Sequence, residues 1–357
     1  MKILIDIGHP AHVHYFKNFI WIMKKNGHEI IITARDKEVA FQLLDYYQLP
    51  YFNRGEGEKG FFGKLFYTFQ GDFCLLKHAL KIKPDIFMSF GTIYPAHVAW
   101  LLRKPCISFN DTDHNVFAHM MLLPFTNTIL TPKVYLKDHG AKHIRFDGFM
   151  ELCALHPNHF TPNPSNVKDE IQLKAGEKYI VLRFVSWQAS HDMGLKGLSL
   201  KEKYSLVEEL SKHIKVIISS ETPLPDDLKK YAYRTHPAFM HDLLHDATLL
   251  VSESLTMSAE AAFLGTPALC ITPAQAGTLD EEVRLGLIEL FRTSEGLADR
   301  AIDIVRQDSY KEEFKAKAKA VVKTKIDVTA FMVWFVENFP NSFSIMQKTP
   351  DYQNRFK

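Results

Sequence analysis

Short apolar runs alternate with amphipathic stretches along most of the chain. The runs at residues 2–7 and 29–33 flank a segment, 15–26, whose apolar side chains recur at helical spacing, with a loop at 8–14 between. A second series of the same kind starts at Tyr179. Strands that alternate with helices form parallel sheets through right-handed crossovers. The pattern therefore predicts an α/β protein with two successive parallel sheets.

Three prolines interrupt this alternation near the middle of the chain. Pro157, Pro162 and Pro164 exclude continued helix or central strand, and 357 residues exceed the usual size of one hydrophobic core. We predict an N-terminal domain over 1–155, a linker over 156–168, a second domain over 169–325, a helix over 326–345 that packs back on the first domain, and a frayed polar tail over 346–357.

Composition and charge narrow the function classes. Lys and Arg number 43 against 41 Asp and Glu, and the formal charge of +2 gives no reason to expect nucleic acid as a partner. The four cysteines are widely spaced, mostly within apolar runs, as in a reduced cytosolic protein. The N-terminal apolar run is too short for a signal peptide, and no apolar span reaches membrane-crossing length. We expect a cytosolic protein.

The segment from Thr248 to Thr272 is the most informative part of the chain. An apolar strand leads through small hydroxyl residues into a short helix that carries Glu260, and a Gly265-Thr266-Pro267 turn leads into another strand. The helix N-terminus offers unpaired N–H groups that suit a phosphate, and Glu260 suits sugar hydroxyls. Alternatively, the hydroxyls only cap the helix and Glu260 is solvated. The segment predicts a site for a nucleotide diphosphate.

Three histidines follow the first strand, in Gly8-His9-Pro-Ala-His12-Val-His14. A histidine near its ordinary pKa can act as general base on an acceptor hydroxyl or orient the acceptor, so His12 is the predicted base. The alternative is that such histidines only bond the backbone. A zinc site of His9, His12 and His14 lacks a fourth ligand and a known spacing, so we predict no bound metal.

Two further loops carry candidate polar groups. Arg183 can pair with phosphate in two-pronged geometry, with Ser190 and His191 as additional donors, or it can be a structural ion-pair partner. Asp111 and Asp113 precede a predicted helix. They either cap this helix or act as acid–base groups in the reaction.

The pattern from Glu260 to Pro267 resembles the C-terminal signature of GT-B enzymes that use nucleotide sugars, notably the lipid-intermediate N-acetylglucosaminyltransferase and the non-hydrolysing UDP-N-acetylglucosamine 2-epimerase. In both families the matching glutamate binds ribose. The resemblance implies a GT-B fold of two Rossmann-like parallel-sheet domains facing across a cleft, with C-terminal helices returning toward the first domain. Ser254-Leu255-Thr256 replaces the Ser-Gly-Gly of the epimerase, so hydroxyls and helix N–H groups would have to contact phosphate.

The resemblance also bears on the reaction. His12 matches the histidine of the transferase's Gly-Gly-His-Val pattern, whereas two catalytic acids of the epimerase fall on Gly91 and Asn110, beside Asp111. Loss of those acids favours glycosyl transfer over epimerisation, because proton abstraction at a sugar carbon needs a positioned base. Motifs such as Gly8-His-Pro-Ala-His12 and Gly148-Phe-Met-Glu151 are similar to those of the bacterial and archaeal DUF354 family, which has GT-B architecture by resemblance and no assigned reaction.

The predicted function is therefore a glycosyltransferase-like enzyme in surface polysaccharide or glycolipid biosynthesis. It would transfer sugar from a nucleotide sugar, UDP-linked as the resemblance implies, to a sugar or lipid-linked acceptor. The alternatives are an epimerase-like enzyme that uses Asp111 or Glu151, and a non-catalytic nucleotide-sugar binder. No cofactor is expected. The predicted catalytic residues are His12, Asp111 and Glu151, and the predicted substrate-binding residues are Gly8, His9, Asn110, Arg183, Ser190, His191, Ser220, Phe239, Met240, Ser254, Leu255, Thr256 and Glu260.

The stretch 60–77 is unusually aromatic and is flanked by lysines. Such a composition suits an interfacial helix that contacts a membrane peripherally, and it also suits an ordinary core helix.

Overall fold

The computed structural model describes residues 1–56, 61–113, 116–168, 170–174, 176–186 and 197–357. The chain divides into two compact units. Unit 1 combines Met1–His159 with Lys325–Lys357, and unit 2 spans Phe160–Thr324. Each unit contains its own parallel sheet, so the predicted α/β class with two parallel sheets is confirmed.

The sheet of unit 1 has seven strands in the order β3-β2-β1-β4-β5-β6-β7. They are β1 (Lys2–Ile7), β2 (Glu29–Asp36), β3 (Tyr51–Glu56), β4 (Ile86–Phe90), β5 (Cys106–Phe109), β6 (Thr128–Pro132) and β7 (His143–Phe146). β1 pairs with β2 on one side and with β4 on the other, so the strand order reverses between β1 and β4. In open α/β sheets this switch point opens a crevice at the carboxyl ends of the strands.

The sheet of unit 2 has five strands in the order β12-β11-β10-β8-β9. They are β8 (Tyr179–Phe184), β9 (Lys215–Ser220), β10 (Leu249–Ser252), β11 (Ala268–Ile271) and β12 (Ile288–Phe291). β10 pairs with β8 and β11, which places its carboxyl end in the middle of the sheet edge.

Helices connect the strands in both units. They are α1 (Pro10–Lys25), α2 (Ala40–Tyr46), α3 (Phe61–Ile82), α4 (Tyr94–Leu101), α5 (Val116–Leu122), α6 (Leu152–Leu155), α7 (Ser165–Lys168), α8 (Leu200–Ser211), α9 (Met240–Asp246), α10 (Leu255–Phe263), α11 (Gly277–Arg284), α12 (Leu297–Arg306), α13 (Tyr310–Val322), α14 (Val328–Glu337) and α15 (Asn341–Lys348). The sheets bury apolar side chains against these helices: Leu4 and Phe87 in unit 1 and Leu182 and Leu249 in unit 2 are fully buried.

The helix after β1 begins earlier than predicted. Pro10 starts α1, because proline fits the first turn, where its missing N–H is not needed. The ring of His9 caps the helix, since its Nδ1 accepts the N–H of Ala11 at 3.2 Å. The predicted loop at 8–14 is therefore wrong beyond His9, and His12 and His14 lie on the helix.

The C-terminal helices pack on unit 1. α14 lies against α1, and Asn26 Nδ2 donates to Glu337 Oε1 at 2.8 Å. The last residues, predicted as a frayed tail, form a 3-10 helix over Pro350–Phe356. The ring of Phe356 lies 5.8 Å from that of Phe331, and Gln353 Oε1 accepts the Asp147 N–H at 2.6 Å. These contacts order a segment whose polar composition suggests disorder.

α3 carries exposed aromatic side chains in the stretch 60–77. Phe69 and Phe73 expose 68% and 69% of their surface. In the described ranges, no helix is both long enough and apolar enough to cross a membrane. Peripheral membrane contact through 60–77 stays a prediction.

Candidate functional site

The carboxyl ends of the unit 2 strands meet at one sheet edge, where β10 leads directly into α10. Ser254 caps α10, since its Oγ accepts the Met257 N–H at 3.3 Å, and its own N–H donates to Ser252 Oγ at 2.8 Å. Ser258 Oγ donates to the Ser254 carbonyl oxygen at 2.8 Å. The hydroxyls thus fold the loop and cap the helix, and the backbone N–H groups of the first turn are left as the feature that favours an anion.

Glu260 lies inside α10 and is only 6% exposed. Its Oε1 is 3.2 Å from Nε2 of His241 on α9, which is 2% exposed. Phe160 packs edge-on against the His241 ring, with 5.8 Å between centroids. Glu260 is therefore a buried and oriented carboxylate, not the solvated one of the alternative prediction. A carboxylate offers about four acceptor positions, so the single contact with His241 leaves room for hydroxyl donors.

The Gly265-Thr266-Pro267 turn fixes α9 beside α10. Gly265 has φ +87°, and a Cβ there would lie 2.8 Å from Cγ of Lys315, so only glycine fits. The Thr266 hydroxyl donates to the Leu244 carbonyl at 2.7 Å, at the end of α9. Lys311 Nζ donates to the Ala247 carbonyl at 2.6 Å. The turn that marks the sequence pattern thus acts structurally, because it secures the helix that carries His241.

Arg183, at the end of β8, is half-buried and paired within the protein. Its Nη1 donates to Ser219 Oγ at 2.9 Å and its Nη2 donates to Glu221 Oε1 at 2.6 Å. Glu221 also accepts the N–H and the hydroxyl of Ser186, both at 3.0 Å. This is the ion-pair alternative for Arg183, and a phosphate would have to compete with Glu221 for the guanidinium.

Glu253 is a residue of this edge that the sequence reasoning missed. It is 2% exposed, and its carboxylate accepts the N–H of Val185 at 3.0 Å and of Leu198 at 2.7 Å. Lys203 Nζ lies 3.1 Å from its Oε2. Glu253 therefore holds the chain on both sides of the segment after β8. The available signal was a lone carboxylate directly after an apolar strand.

The remaining predicted ligands of unit 2 fall into two groups. Five are half-buried at or near the carboxyl edge: Ser220, Phe239, Met240, Leu255 and Thr256. Of these, Ser220 donates from Oγ to the Thr222 carbonyl at 2.8 Å. Two lie outside the described residues: Ser190 and His191.

In unit 1, the loop after β1 lies at the switch point of the sheet. A Cβ on Gly8 would lie 2.6 Å from Cγ2 of Thr92, so glycine permits this close approach. The Gly8 N–H donates to His12 Nδ1 at 3.2 Å, and the ring of Phe90 packs 4.9 Å from the His12 ring. Burial lowers the pKa of His12 to about 3, and the charge of Lys37 adds to this effect.

These contacts fix the chemistry that His12 offers. A neutral imidazole that accepts at Nδ1 carries its proton on Nε2. In this form Nε2 carries a proton that can be donated to a ligand, and the predicted base role of His12, which stays a prediction, requires the other tautomer.

Asp111 lies in the loop after β5 and is half-buried. Burial raises the pKa of Asp111 to about 6, the hydrogen bond from the Thr112 hydroxyl opposes this rise, and the charge of Asp113 adds to it. Asn110 orders the loop, because its Oδ1 accepts the Thr112 N–H at 2.9 Å and its Nδ2 donates to His119 Nε2 at 2.7 Å. A carboxyl with a pKa near 6 can exchange protons at neutral pH.

Glu151 precedes α6 and is 7% exposed. Burial raises the pKa of the neighbouring Cys153 thiol, and the charges of Asp327, Glu151 and Asp111 raise it further. Both candidate carboxylates, Asp111 and Glu151, are thus within electrostatic range of the Cys153 thiol.

The three histidines near the start of α1 have separate partners. His9 caps the helix, His12 accepts from Gly8, and His14 packs edge-on against Tyr47 with 6.1 Å between ring centroids. Among the residues that the structure describes, no group of three or more His, Cys, Asp or Glu could hold a metal ion.

Known proteins share this architecture. A protein of Methanocaldococcus jannaschii, described as uncharacterized, is 23% identical over 297 residues, which cover 79% of this chain and 84% of that protein. The UDP-GlcNAc 2-epimerase from Neisseria meningitidis, solved with UDP-GlcNAc bound, is 13% identical with a TM-score of 0.63 and covers 90% of this chain and 99% of its own. The Streptomyces sp. SF2575 glycosyltransferase SsfS6 is 14% identical with a TM-score of 0.58, over 93% and 99%. This likeness confirms the predicted GT-B fold.

A protein-family model matches most of the chain. The family described as "Protein of unknown function (DUF354)" matches residues 1–337, which include the carboxyl edges of both sheets. The chain therefore belongs to the DUF354 family.

Proposed function

We propose that unit 2 binds the nucleotide of a UDP-sugar at the carboxyl edge of its sheet, with Glu260 as the ligand of the ribose. The observation that carries this proposal is the buried Glu260–His241 pair, 3.2 Å apart, inside a helix that starts at that edge. Ribose presents two adjacent hydroxyl donors, which a fixed carboxylate can accept with little further ordering. The first-turn N–H groups of α10 suit the diphosphate.

The fold relatives support the same ligand class. An epimerase of this fold was solved with UDP-GlcNAc, and another relative is a glycosyltransferase. Both kinds of enzyme act through a GT-B fold, so we assign the chain to nucleotide-sugar chemistry and use its own residues to choose the reaction.

We assign glycosyl transfer as the reaction, with Asp111 as general base. The acceptor oxygen forms a bond with the anomeric carbon, the bond from that carbon to the phosphate oxygen breaks, and UDP leaves with the electron pair. Asp111 takes the acceptor proton, because a carboxyl with a pKa of about 6 is mostly ionised at neutral pH. His12 contributes a hydrogen bond from Nε2 in place of the predicted base role.

A second reaction, epimerisation, draws support from one observation. The charges of Asp111 and Glu151 both raise the pKa of the Cys153 thiol, so both carboxyl groups are within electrostatic range of the same side chain. Proton removal and return at a sugar carbon would use such a pair.

Incubation with UDP-GlcNAc in the absence of acceptor separates the two reactions. The proposal predicts slow release of UDP to water with no change at C2 of the intact donor, measured by proton NMR and by UDP detection. A changed sugar without free UDP would replace transfer by epimerisation. Glu260→Gln is the control, since it should reduce either activity by weakening donor binding.

A further inference from the structure

Unit 1 has a cavity of about 620 Å³ whose lining does not include Asp111, Glu151 or His12, although its wall residue His119 accepts a hydrogen bond from Asn110. It opens between α5 and the chain from Lys137 to Lys142, and His119 forms part of its wall. Pockets on the order of 300–1,000 Å³ are typical of small-molecule sites. The cavity is therefore large enough for an organic ligand.

One side of this pocket is apolar. Met120, Leu123 and Pro124 form that wall, and Met120 exposes 69% of its surface. Burying exposed apolar surface is favourable by about 25 cal/mol per Å², so this wall favours an apolar group of a ligand.

Two lysines are also among the residues that line the pocket. Lys142 Nζ is held by the carbonyls of Leu123 at 2.9 Å and Pro124 at 3.4 Å, which leaves a third ammonium N–H for a ligand. Lys137 also lines the pocket and lies close to His139. Burial lowers the pKa of His139 and the charge of Lys137 adds to this effect, so His139 is a neutral neighbour and the positive charge resides on the lysines.

We propose that this pocket binds an amphiphilic organic phosphate, with its apolar chain on Met120, Leu123 and Pro124 and its phosphate between Lys137 and Lys142. Two lysines among the lining residues favour an anion with several acceptor oxygens over a neutral ligand or a cation. The proposal does not depend on the reaction assigned to the chain.

Calorimetry with decyl phosphate, below its micelle concentration, tests the proposal on the full-length protein. We expect saturable one-to-one binding, with decanol and inorganic phosphate each bound at least about tenfold more weakly because each lacks half of the contacts. Vesicles that contain phosphatidic acid form a separate arm: co-sedimentation would identify a bilayer lipid as the source of the phosphate, and its absence would indicate a soluble one. No saturable binding of decyl phosphate would overturn the proposal.

Variants locate the binding. Lys137→Gln should weaken decyl phosphate binding about tenfold through loss of a charged contact, and Met120→Glu should abolish it by repulsion. Lys133→Gln and Leu80→Glu are matched controls on exposed positions of the same unit outside the pocket lining, and they should bind as the wild type does. If folded Met120→Glu protein, checked by circular dichroism, kept wild-type affinity, the ligand would bind elsewhere.

Discussion

The carboxyl edges of the two sheets are built by the same rule but hold their charged groups differently. In unit 2, Arg183 is paired with Glu221, Glu260 with His241, and Glu253 with Lys203. In unit 1, burial instead shifts the pKa of Asp111 up to about 6 and that of His12 down to about 3. Paired groups keep a fixed geometry, which suits binding, whereas a carboxyl with a pKa near 6, such as that of Asp111, suits proton transfer. This difference supports the proposal that unit 2 binds the nucleotide and that unit 1 supplies the acid–base group.

The largest effect should follow from breaking the unit 2 network at Glu253. Glu253→Ala would leave the N–H groups of Val185 and Leu198 and the ammonium of Lys203 without this partner. We expect the free energy of unfolding to fall by about 3–5 kcal/mol, measured by urea denaturation. Glu208→Ala, on the exposed face of α8, should stay within about 0.5 kcal/mol of wild type. Equal, small losses in both variants would show that Glu253 does not hold this edge.

In unit 1, Asp111→Asn should affect turnover and spare nucleotide binding. We expect the rate of the proposed transfer to fall about 100-fold or more, with UDP affinity unchanged, because a general base is lost. The wild-type rate should rise with pH through about 6 and then level off, since the carboxyl must be ionised to take a proton. Asp138→Asn, at an exposed carboxylate of the same unit, is the control. Full turnover by Asp111→Asn would remove Asp111 from the chemistry.

A smaller effect is expected at the cap of α10. Ser254→Ala should lower the free energy of unfolding by about 1 kcal/mol because the Met257 N–H loses its acceptor. Ser199→Ala, which removes the corresponding cap of α8, should cost a similar amount. UDP affinity should change little in either variant. A specific loss of UDP binding in Ser254→Ala would make that hydroxyl a phosphate ligand as well as a cap.

The protonation state of His12 is expected not to change across the neutral pH range. The ring nitrogen shifts of His12, followed by NMR, should stay constant between about pH 8 and pH 5, because its pKa is about 3 and it remains neutral throughout. In urea the same ring should titrate near its ordinary pKa of about 6.5. A folded-state titration near neutral pH would restore His12 as a candidate base.

The sheets were largely predictable because parallel strands buried on both faces are apolar throughout. Three short strands, β3, β7 and β12, were not predicted. β3 reads Tyr-Phe-Asn-Arg-Gly-Glu and looks like a polar loop. Arg54 of β3 is only 4% exposed. The protein tolerates this buried charge because Arg54 Nε lies 3.0 Å from Oδ1 of Asp6 on β1. An ion pair between distant residues hides a charged side chain in a sheet, and no local pattern reveals it.

In the candidate site, too, interactions between residues far apart in the chain could not be predicted from local sequence patterns. Glu260 was predictable from its helix and the following turn, which are adjacent in sequence. His241 and Glu253 were not selected, because each acts through partners far along the chain. The pKa shifts of His12 and Asp111 likewise arise from burial in the folded unit, which residue type alone does not determine.

Calorimetric titration of UDP into wild-type and Glu260→Gln protein tests the central claim most directly. Loss of a charged hydrogen bond to ribose costs about 1.5–3 kcal/mol, so the Kd for UDP should rise by roughly 10- to 150-fold. Glu312→Gln, at an exposed carboxylate of the same unit, should bind UDP as the wild type does. An unchanged Kd in folded Glu260→Gln protein, or no binding of UDP to the wild type, would contradict the assignment of unit 2 as the nucleotide-binding unit.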